Sequence, residues 1–238
     1  MGATHVLSLN LSAVLQGRFL DWFVLGGIHT LLLFVSSWVM GFVLSLIVAA
    51  ARSSGLRSLN VSAAGFVAYH RNVPALVQLF VWYFAIPQLL PASWQQLINN
   101  TGNSEFIFAT IALSLNAAAY MSEDLRSGIR SLPSGQMEAA RALGLNYISS
   151  MRKVILPQAL KVAVPALVNQ SLGLFKSTSL AMAIGVAEMT YASQQVENES
   201  FRTFDAFAVA SIFYWTVSFL IMGLGNVWSK RLNTEKAH

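Results

Sequence analysis

Five long apolar intervals alternate with polar segments along this chain. They cover residues about 22–51, 61–90, 106–122, 155–187 and 206–228. The first contains no charged residue apart from His29, and it exceeds the roughly 20 residues with which a helix crosses about 30 Å of hydrocarbon. Strand-like alternation over about ten residues, typical of a membrane barrel, is absent. The pattern therefore predicts an all-α membrane protein, a five-transmembrane-helix bundle formed by a single domain over residues 1–238.

Composition agrees with a membrane location. Only 11% of the 238 residues are charged and 55% are hydrophobic, whereas a soluble domain carries about 25% charged residues. Glycine, alanine and serine recur in all five intervals, and such small residues let helices approach closely in lipid. No basic segment with a small-residue cleavage site precedes the first interval, so we expect that interval to insert without being removed. The absence of cysteine excludes disulfides, thiolate metal sites and cysteine nucleophiles.

Arginine and lysine are distributed unevenly between the polar segments. Short basic loops stay on the cytoplasmic side, so their positions predict orientation. The bases after the first and third intervals and in the tail are Arg52, Arg57, Arg126, Arg130, Arg141, Arg152, Lys153, Lys161, Lys230, Arg231 and Lys236. The segments after the second and fourth intervals are mainly acidic, with Glu105, Glu188, Glu197, Glu199 and Asp205 against Arg202. We therefore expect the N-terminus outside, the C-terminus inside, and the net charge of +5 to form an inner basic rim rather than a nucleic-acid patch.

A short amphipathic helix is predicted in the cytoplasmic loop at about residues 126–154, within the stretch SLPSGQMEAARALGLN. Pro133 and Ser134 favour a helix start, Glu138 stands in the first turn, and Gly144 favours a left-handed stop. Isolated helices of fewer than roughly 12 residues are marginal in water, so this one needs a surface to dock on. That surface is either another protein or the lipid headgroups, and the residues themselves leave both alternatives open.

Several motifs resemble one known family. The run Glu138-Ala139-Ala140-Arg141-Ala142-Leu143-Gly144, followed by Ile155-Leu156-Pro157-Gln158-Ala159, is similar to the EAA loop of ABC importer permeases. The similarity extends to residues 71–74, 77–79, 119–126 and 176–180, in the order and spacing of polar amino-acid permeases of the histidine, glutamine and glutamate type. Asn72-Val73 and Ser177 depart from the usual family residues. Residues 71–74, with Trp82-Tyr83 and Ile86-Pro87, look most like the glutamate/aspartate branch.

The resemblance implies a role and a set of partners. The fold would be that of a type I ABC importer permease, in a bacterial inner membrane and surrounded by its lipid bilayer. The short helix would fit a groove on a cytoplasmic ATPase through its coupling residues, Glu138, Ala139, Ala140, Ala142, Leu143 and Gly144. Two ATPase chains would bind ATP and Mg, a second permease chain, identical or homologous, would complete the pathway, and an extracytoplasmic binding protein would deliver the amino-acid substrate.

The chain itself carries no recognisable catalytic motif. A P-loop needs glycine directly before its lysine so that backbone amides cradle phosphate, but Gly173-Leu174-Phe175-Lys176-Ser177 has phenylalanine there. We therefore expect no enzyme activity and no cofactor on this chain, with ATP hydrolysis on another polypeptide. A secondary transporter or channel subunit remains an alternative, and transport that survives ATP depletion would favour it. An integral membrane enzyme would need converging catalytic groups, and none is apparent.

Charged residues inside a span by default face a bundle interior or a water-filled path. Lys176 lies roughly 28 Å beyond Pro157 in a continuous helix, at about 1.5 Å per residue, and is too deep to reach back to the cytoplasm. The hydroxyls of Ser177, Thr178 and Ser179 could open the helix beside an anionic substrate group. Lys176 is therefore a pathway candidate, with a structural pairing as the alternative.

Arg71 is the second pathway candidate, but for it a structural role comes first, because residues 73–90 alone could span and would leave Arg71 at the cytoplasmic interface. At the inner end of the third interval, Glu123, Asp124 and Arg126 are expected to form a structural ion network that supports the loop.

Overall fold

The computed structural model describes residues 10–234, and this part of the chain is helical without a β-strand. Its α-helices are α1 (Leu11–Val14), α2 (Gly17–Ser53), α3 (Arg57–Asn72), α4 (Ala75–Phe80), α5 (Ala92–Asn99), α6 (Ser104–Arg130), α7 (Gly135–Ala142), α8 (Tyr147–Ser150), α9 (Leu156–Ser177), α10 (Met189–Ser200) and α11 (Thr203–Thr234). The prediction of an all-α fold is confirmed for these residues.

Three of the helices are long and apolar enough to cross a membrane alone: α2, α6 and α11. Two further pairs of helical segments qualify only as bent spans, so the described residues give three candidate spans, or five if each bent pair is one span. The third predicted interval ended at residue 122, but α6 continues to Arg130. This extension is polar and contains the ion pair of Glu123 with Arg126, so the apolar pattern did not indicate that the helix continues there.

The second predicted interval, 61–90, is interrupted. Helix α3 ends at Asn72, Val73 is extended, and α4 begins after Pro74. A proline disfavours helical geometry in the residue before it and has no N–H for the helical ladder, which explains the stop. After α4 the chain continues as a π-helical turn over Val81–Ala85 and a 3-10 turn over Ile86–Leu89.

The fourth predicted interval, 155–187, changes its helix type near its end. A π-helical turn over Met151–Ile155 precedes α9, and a 3-10 helix over Thr178–Ile184 follows it. Gly185 then ends the helix in the left-handed region at φ 92°. Helix α10 occupies much of the acidic segment that was predicted to be an outer loop.

Two compact units divide the chain. Unit 1 contains residues 10–37, Pro74–Leu113 and Leu174–Phe219. Its core is apolar and formed by side chains of α1, α2, α10 and α11. The buried members are Val14, Phe23, Met189, Ala192, Val196, Ala206 and Ala210. Unit 1 therefore has a hydrophobic centre of its own.

Unit 2 contains Trp38–Val73, Ser114–Gly173 and residues 220–234. Its helices meet at small residues: a Cβ added to Gly128 of α6 would lie 2.6 Å from the carbonyl oxygen of Ala159 in α9. This close contact needs a residue without a side chain, and it lies beyond the apolar interval that ended at residue 122. The Trp38 indole N–H also donates a hydrogen bond to the Ser171 hydroxyl at 2.7 Å, which joins α2 to α9.

Candidate functional site

Helix α7 presents most of the predicted coupling residues on its surface. Glu138, Ala139 and Ala142 are exposed, and the Leu143 side chain is 84% exposed. Ala140 points the other way and is only 3% exposed. The two sides of α7 therefore differ, since Ala140 fixes the helix to unit 2 while the exposed side is available to a partner.

Gly144 adopts the left-handed conformation predicted for it, with φ 82°. The N–H of Leu145 donates to the carbonyl of Ala140 at 3.2 Å, and the N–H of Gly144 donates to that of Arg141 at 3.0 Å. This pair of bonds is the Schellman motif, in which a left-handed glycine satisfies the last carbonyls of a helix. Nothing lies within 4 Å of a Cβ added to Gly144, so the demand for glycine there comes from the backbone alone.

The start of α7 differs from its prediction. Ser134 precedes the helix, as predicted, but its side chain makes no capping hydrogen bond. A link to α9 holds this end instead: the Gln158 side-chain amide donates to the Gln136 side-chain oxygen at 3.2 Å. A side-chain cap does occur at the next helix, where Asn146 accepts a bond from the Ser149 N–H at 2.9 Å. Helix α7 also packs against the turn Met151–Ile155, so the loop is fixed to the start of α9.

The predicted pathway residues around Lys176 lie where α9 becomes a 3-10 helix. Lys176 is exposed in the last turn of α9. Thr178 is buried, and its hydroxyl donates to the Phe175 carbonyl at 2.6 Å, while the Ser179 hydroxyl donates to the Lys176 carbonyl at 2.7 Å. The hydroxyl protons are therefore used within the helix. The helix tightens at Ser177–Thr178 rather than unwinding, and it ends only at Gly185.

A buried acid follows this segment and was not predicted as a functional residue. Glu188 is fully buried, and its carboxylate caps α10 by accepting the N–H groups of Thr190 and Tyr191, each at 2.9 Å. The Tyr214 hydroxyl of α11 donates to the same carboxylate at 2.6 Å. Glutamate is not among the preferred N-cap residues, so this role had little local signal.

The surroundings of Glu188 tie α10 to α2. The Met189 N–H donates to the Thr30 hydroxyl at 3.0 Å, and a His29 ring nitrogen lies 2.9 Å from the Ala187 carbonyl oxygen. Asp205 is likewise buried rather than a loop residue, and it pairs with Arg202 at 3.0 Å. The acidic segment is thus a packed part of unit 1.

Arg71 belongs to unit 2, whereas Lys176 belongs to unit 1. Arg71 lies in the last turn of α3, and its exposed guanidinium lies 5.3 Å from the centre of the Tyr120 ring. The Tyr120 hydroxyl donates to the Arg71 carbonyl at 3.2 Å, and the Asn116 side-chain amide donates to the His70 carbonyl at 2.9 Å. The carbonyl of His70 is the one that an N–H at position 74 would satisfy in a continuous helix, so Asn116 replaces the bond that Pro74 cannot make.

The predicted ion network at the inner end of α6 is present and larger than expected. Glu123 lies 3.6 Å from Arg126 and 3.4 Å from Arg52 of α2. Arg52 also donates to the Asn60 side-chain oxygen at 2.8 Å, which brings α3 into the network. Asp124 interacts electrostatically with Arg71 and is hydrogen-bonded to the Gln170 side chain. The network thus joins α2, α3, α6 and α9.

Over residues 10–234 the chain combines apolar helical spans, an interrupted second span and an exposed, backbone-capped loop helix, an arrangement that suits a component of a membrane transport system. Comparisons with known proteins give the family. The sequence profile of the family described as "binding-protein-dependent transport system inner membrane component" matches residues 7–234. A probable amino-acid ABC transporter permease of Vibrio harveyi is 36% identical over 198 residues, covering 82% of this chain and 85% of that protein.

Another relative and one solved structure agree. The L-cystine transport system permease protein TcyB of Bacillus subtilis is 35% identical over 238 residues, covering 94% of this chain and 96% of the relative. The crystal structure of an amino acid ABC transporter with histidines has a chain that superposes with a TM-score of 0.81 at 26% identity, covering 94% of this chain and all of that one. The chain belongs to this family as the inner-membrane permease subunit of an ABC amino-acid importer.

Proposed function

We propose that this permease forms the translocation pathway for a polar amino acid and receives the energy of ATP hydrolysis from a separate ATPase through α7. The assembly would contain two ATPase chains that bind ATP and Mg, a second permease chain and an extracytoplasmic binding protein. The observation that carries the coupling role is the contrast within α7, where Ala140 is buried while Ala139, Ala142 and Leu143 are exposed. A helix held on one side and apolar on the other suits docking into a groove.

The anchoring of α7 also favours a mechanical joint over a helix that rests on lipid headgroups. Its end is fixed by the turn at Gly144, its start by Gln136 and Gln158, and it packs on the turn that leads into α9. A force on α7 would therefore act directly on the start of α9. A helix held only by headgroups needs no such attachment.

The test changes one residue in the turn that ends α7 and one residue on its exposed face. Gly144→Val forces a β-branched residue into the left-handed region, which costs roughly 1 kcal/mol or more. Ala142→Asp places a charge on the face proposed to enter the groove. Both should reduce recovery of the ATPase with the permease, or uncouple ATP hydrolysis from uptake, in reconstituted complexes. Normal ATPase binding and normal coupling in both variants would contradict the proposal.

Matched controls separate docking from general damage. Gly135→Val makes the same change on the same helix, but Gly135 has open space around it and no positive φ. Ser127→Asp adds the same charge at an exposed position of α6. Both controls should retain ATPase binding and uptake, and all four variants should insert into the membrane in similar amounts.

The proposed orientation has the N-terminus outside and the C-terminus inside, because arginine and lysine concentrate in the segments assigned to the cytoplasm. Single cysteines at Thr101 and Asn198 should react with an impermeant thiol reagent added to intact spheroplasts. One at Ile148, which is 76% exposed, should react only after permeabilisation. Ser150 would not serve here because it is buried. Labelling at position 148 in intact spheroplasts would reverse the proposed orientation.

For the substrate, we propose a polar amino acid with an acidic side chain, glutamate or aspartate, as the first choice. The run Arg71-Asn72-Val73-Pro74 supports this branch, and the exposed ammonium of Lys176 supports an anionic group in the pathway. Ser177 and Ser179 would line the path beside it through hydroxyl oxygens that can still accept hydrogen bonds, whereas the buried Thr178 would support the turn behind them.

Competition for uptake tests this assignment. An excess of unlabelled glutamate or aspartate should suppress uptake of labelled glutamate more strongly than glutamine, arginine or cystine does. Lys176→Met should reduce uptake while the complex still assembles and hydrolyses ATP. Loss of assembly with unchanged uptake per remaining complex would assign Lys176 a structural role. Stronger suppression by a neutral or basic amino acid would contradict the acidic substrate and assign that amino acid instead.

A further inference from the structure

A polar cavity of about 450 Å³ lies within unit 2, beside the end of α3. Two arginines, a tyrosine and a carboxylate line it, together with a floor of small side chains on α3; the lining includes Arg52, Arg71, Tyr120, Glu123, Ala64 and Ala68. The cavity is larger than a single water or ion requires. It suits a small organic group that carries charge.

The charged groups around this cavity favour an anion. Both carboxylate oxygens of Glu123 are already engaged, one with Arg52 and the other with Arg126, so Glu123 acts as an internal counter-ion. The charged groups here are three arginines, Arg52, Arg71 and Arg126, and two acids, Glu123 and Asp124. The arginines therefore exceed the acids by one positive charge. A bound cation would add to that excess, whereas a single oxyanion balances it.

The donor that faces the cavity is held in place. The Arg71 guanidinium carbon lies 5.3 Å from the centre of the Tyr120 ring, a cation–π contact, and a planar guanidinium matches carboxylate and phosphate oxygens. The carbonyls of His70 and Arg71, which would repel an anion at the end of α3, already accept bonds from Asn116 and Tyr120. The arrangement thus presents positive donors and covers the nearest negative groups.

We propose that this cavity is an oxyanion site, in which Arg71, assisted by Arg52, binds a carboxylate or a phosphate. Two sources supply that chemistry: a free amino acid, and the phosphate of a lipid headgroup, since basic pockets between membrane helices bind anionic headgroups. The site does not depend on the coupling role of α7 or on the direction of transport.

The test measures thermal unfolding of the purified complex in detergent while one of three probes is titrated. The probes are dihexanoyl phosphatidylglycerol, dihexanoylglycerol, which has the same chains without phosphate, and L-glutamate. Arg71→Gln removes the donor. Ala68→Leu fills the cavity from α3 without changing a charge, and Arg57→Gln is the control, since it removes an exposed arginine from the same helix outside the cavity.

Wild type and Arg57→Gln should show saturable stabilisation by phosphatidylglycerol, by glutamate or by both, and none by dihexanoylglycerol. Arg71→Gln and Ala68→Leu should weaken the apparent affinity about tenfold or more, as expected from losing a charge-assisted bidentate contact or the space for it. The active probe identifies the source. No stabilisation, or equal stabilisation in all four proteins, would overturn the proposal; if Arg71→Gln alone unfolds early without probe, the Ala68→Leu result decides.

Discussion

The chain breaks its helical pattern after α3, in unit 2, and again before α10, in unit 1. The two breaks leave different backbone groups without a helical partner. The first leaves carbonyls, which Asn116 and Tyr120 of α6 satisfy with neutral donors. The second leaves N–H groups, which the buried carboxylate of Glu188 accepts with the help of Tyr214. In each case a side chain outside the broken helix completes the arrangement.

The two breaks differ in the side chains that make their burial possible. Neutral amide and hydroxyl donors can be lost one at a time, since each serves a single carbonyl. A buried carboxylate serves three donors at once, and its loss strands all of them in an apolar unit. The break in unit 1 should therefore be much less tolerant of substitution than the break in unit 2.

The largest effect is expected for Glu188→Ala. It removes the cap of α10 and leaves the Tyr214 hydroxyl without its acceptor, so the free energy of unfolding should fall by about 3 kcal/mol. Titration of the purified chain with SDS, followed by circular dichroism, measures this loss. The control is Glu199→Ala, which removes only a surface ion pair with Arg18 and should cost less than about 0.5 kcal/mol. Equal losses in both variants would remove the distinction between the two breaks.

Asn116→Leu should have an intermediate effect. The side chain keeps its approximate volume but loses the donor to the His70 carbonyl, so we expect a loss of about 1 to 2 kcal/mol in the same titration. Asn169→Leu, at an exposed position of α9, provides the matched control and should lie within about 0.5 kcal/mol of wild type. A neutral result for Asn116→Leu would mean that the broken end of α3 finds another donor.

Tyr120→Phe should have the smallest effect. It removes the donor to the Arg71 carbonyl, which is partly exposed and can bind water instead, so the loss should be about 0.5 kcal/mol. The aromatic ring remains under the Arg71 guanidinium, and oxyanion binding should therefore persist in this variant. Tyr147→Phe, whose hydroxyl makes a longer 3.5 Å contact with the Ser53 carbonyl, should be neutral. A loss as large as that of Asn116→Leu would show that both carbonyls are equally buried.

The sequence predicted the features that depend on local pattern. Apolar intervals located the three long helices α2, α6 and α11, and Gly144 was identified as a left-handed stop because glycine adopts that conformation without strain. The close packing of helices in unit 2 was expected from small residues in the apolar intervals, and Gly41 shows it, since a Cβ there would lie 3.0 Å from the Ser114 carbonyl oxygen. These properties are readable because each depends on one residue and its neighbours in the chain.

Properties that depend on distant residues were not predicted. The interruption at Pro74 had a local signal, since proline restricts the residue before it, but an apolar window of 30 residues concealed it. The role of Glu188 had no such signal, because its partners include Tyr214, which is 26 residues away. Ser134 is the opposite case, because serine is a preferred N-cap residue but its side chain makes no capping bond here. The Gln136–Gln158 contact and backbone bonds hold that end of α7 instead.

The replacement of a missing proline hydrogen bond by Asn116 has a consequence for the order in which the chain assembles during synthesis. An unpaired backbone carbonyl away from water is costly, so the end of α3 reaches its final form only after α6 has been made and can supply Asn116. The segment from Arg57 to Leu89 should therefore stay near the translocon or the membrane surface until Asn116 emerges. The two segments of this bent pair then insert into the membrane together with α6 rather than independently.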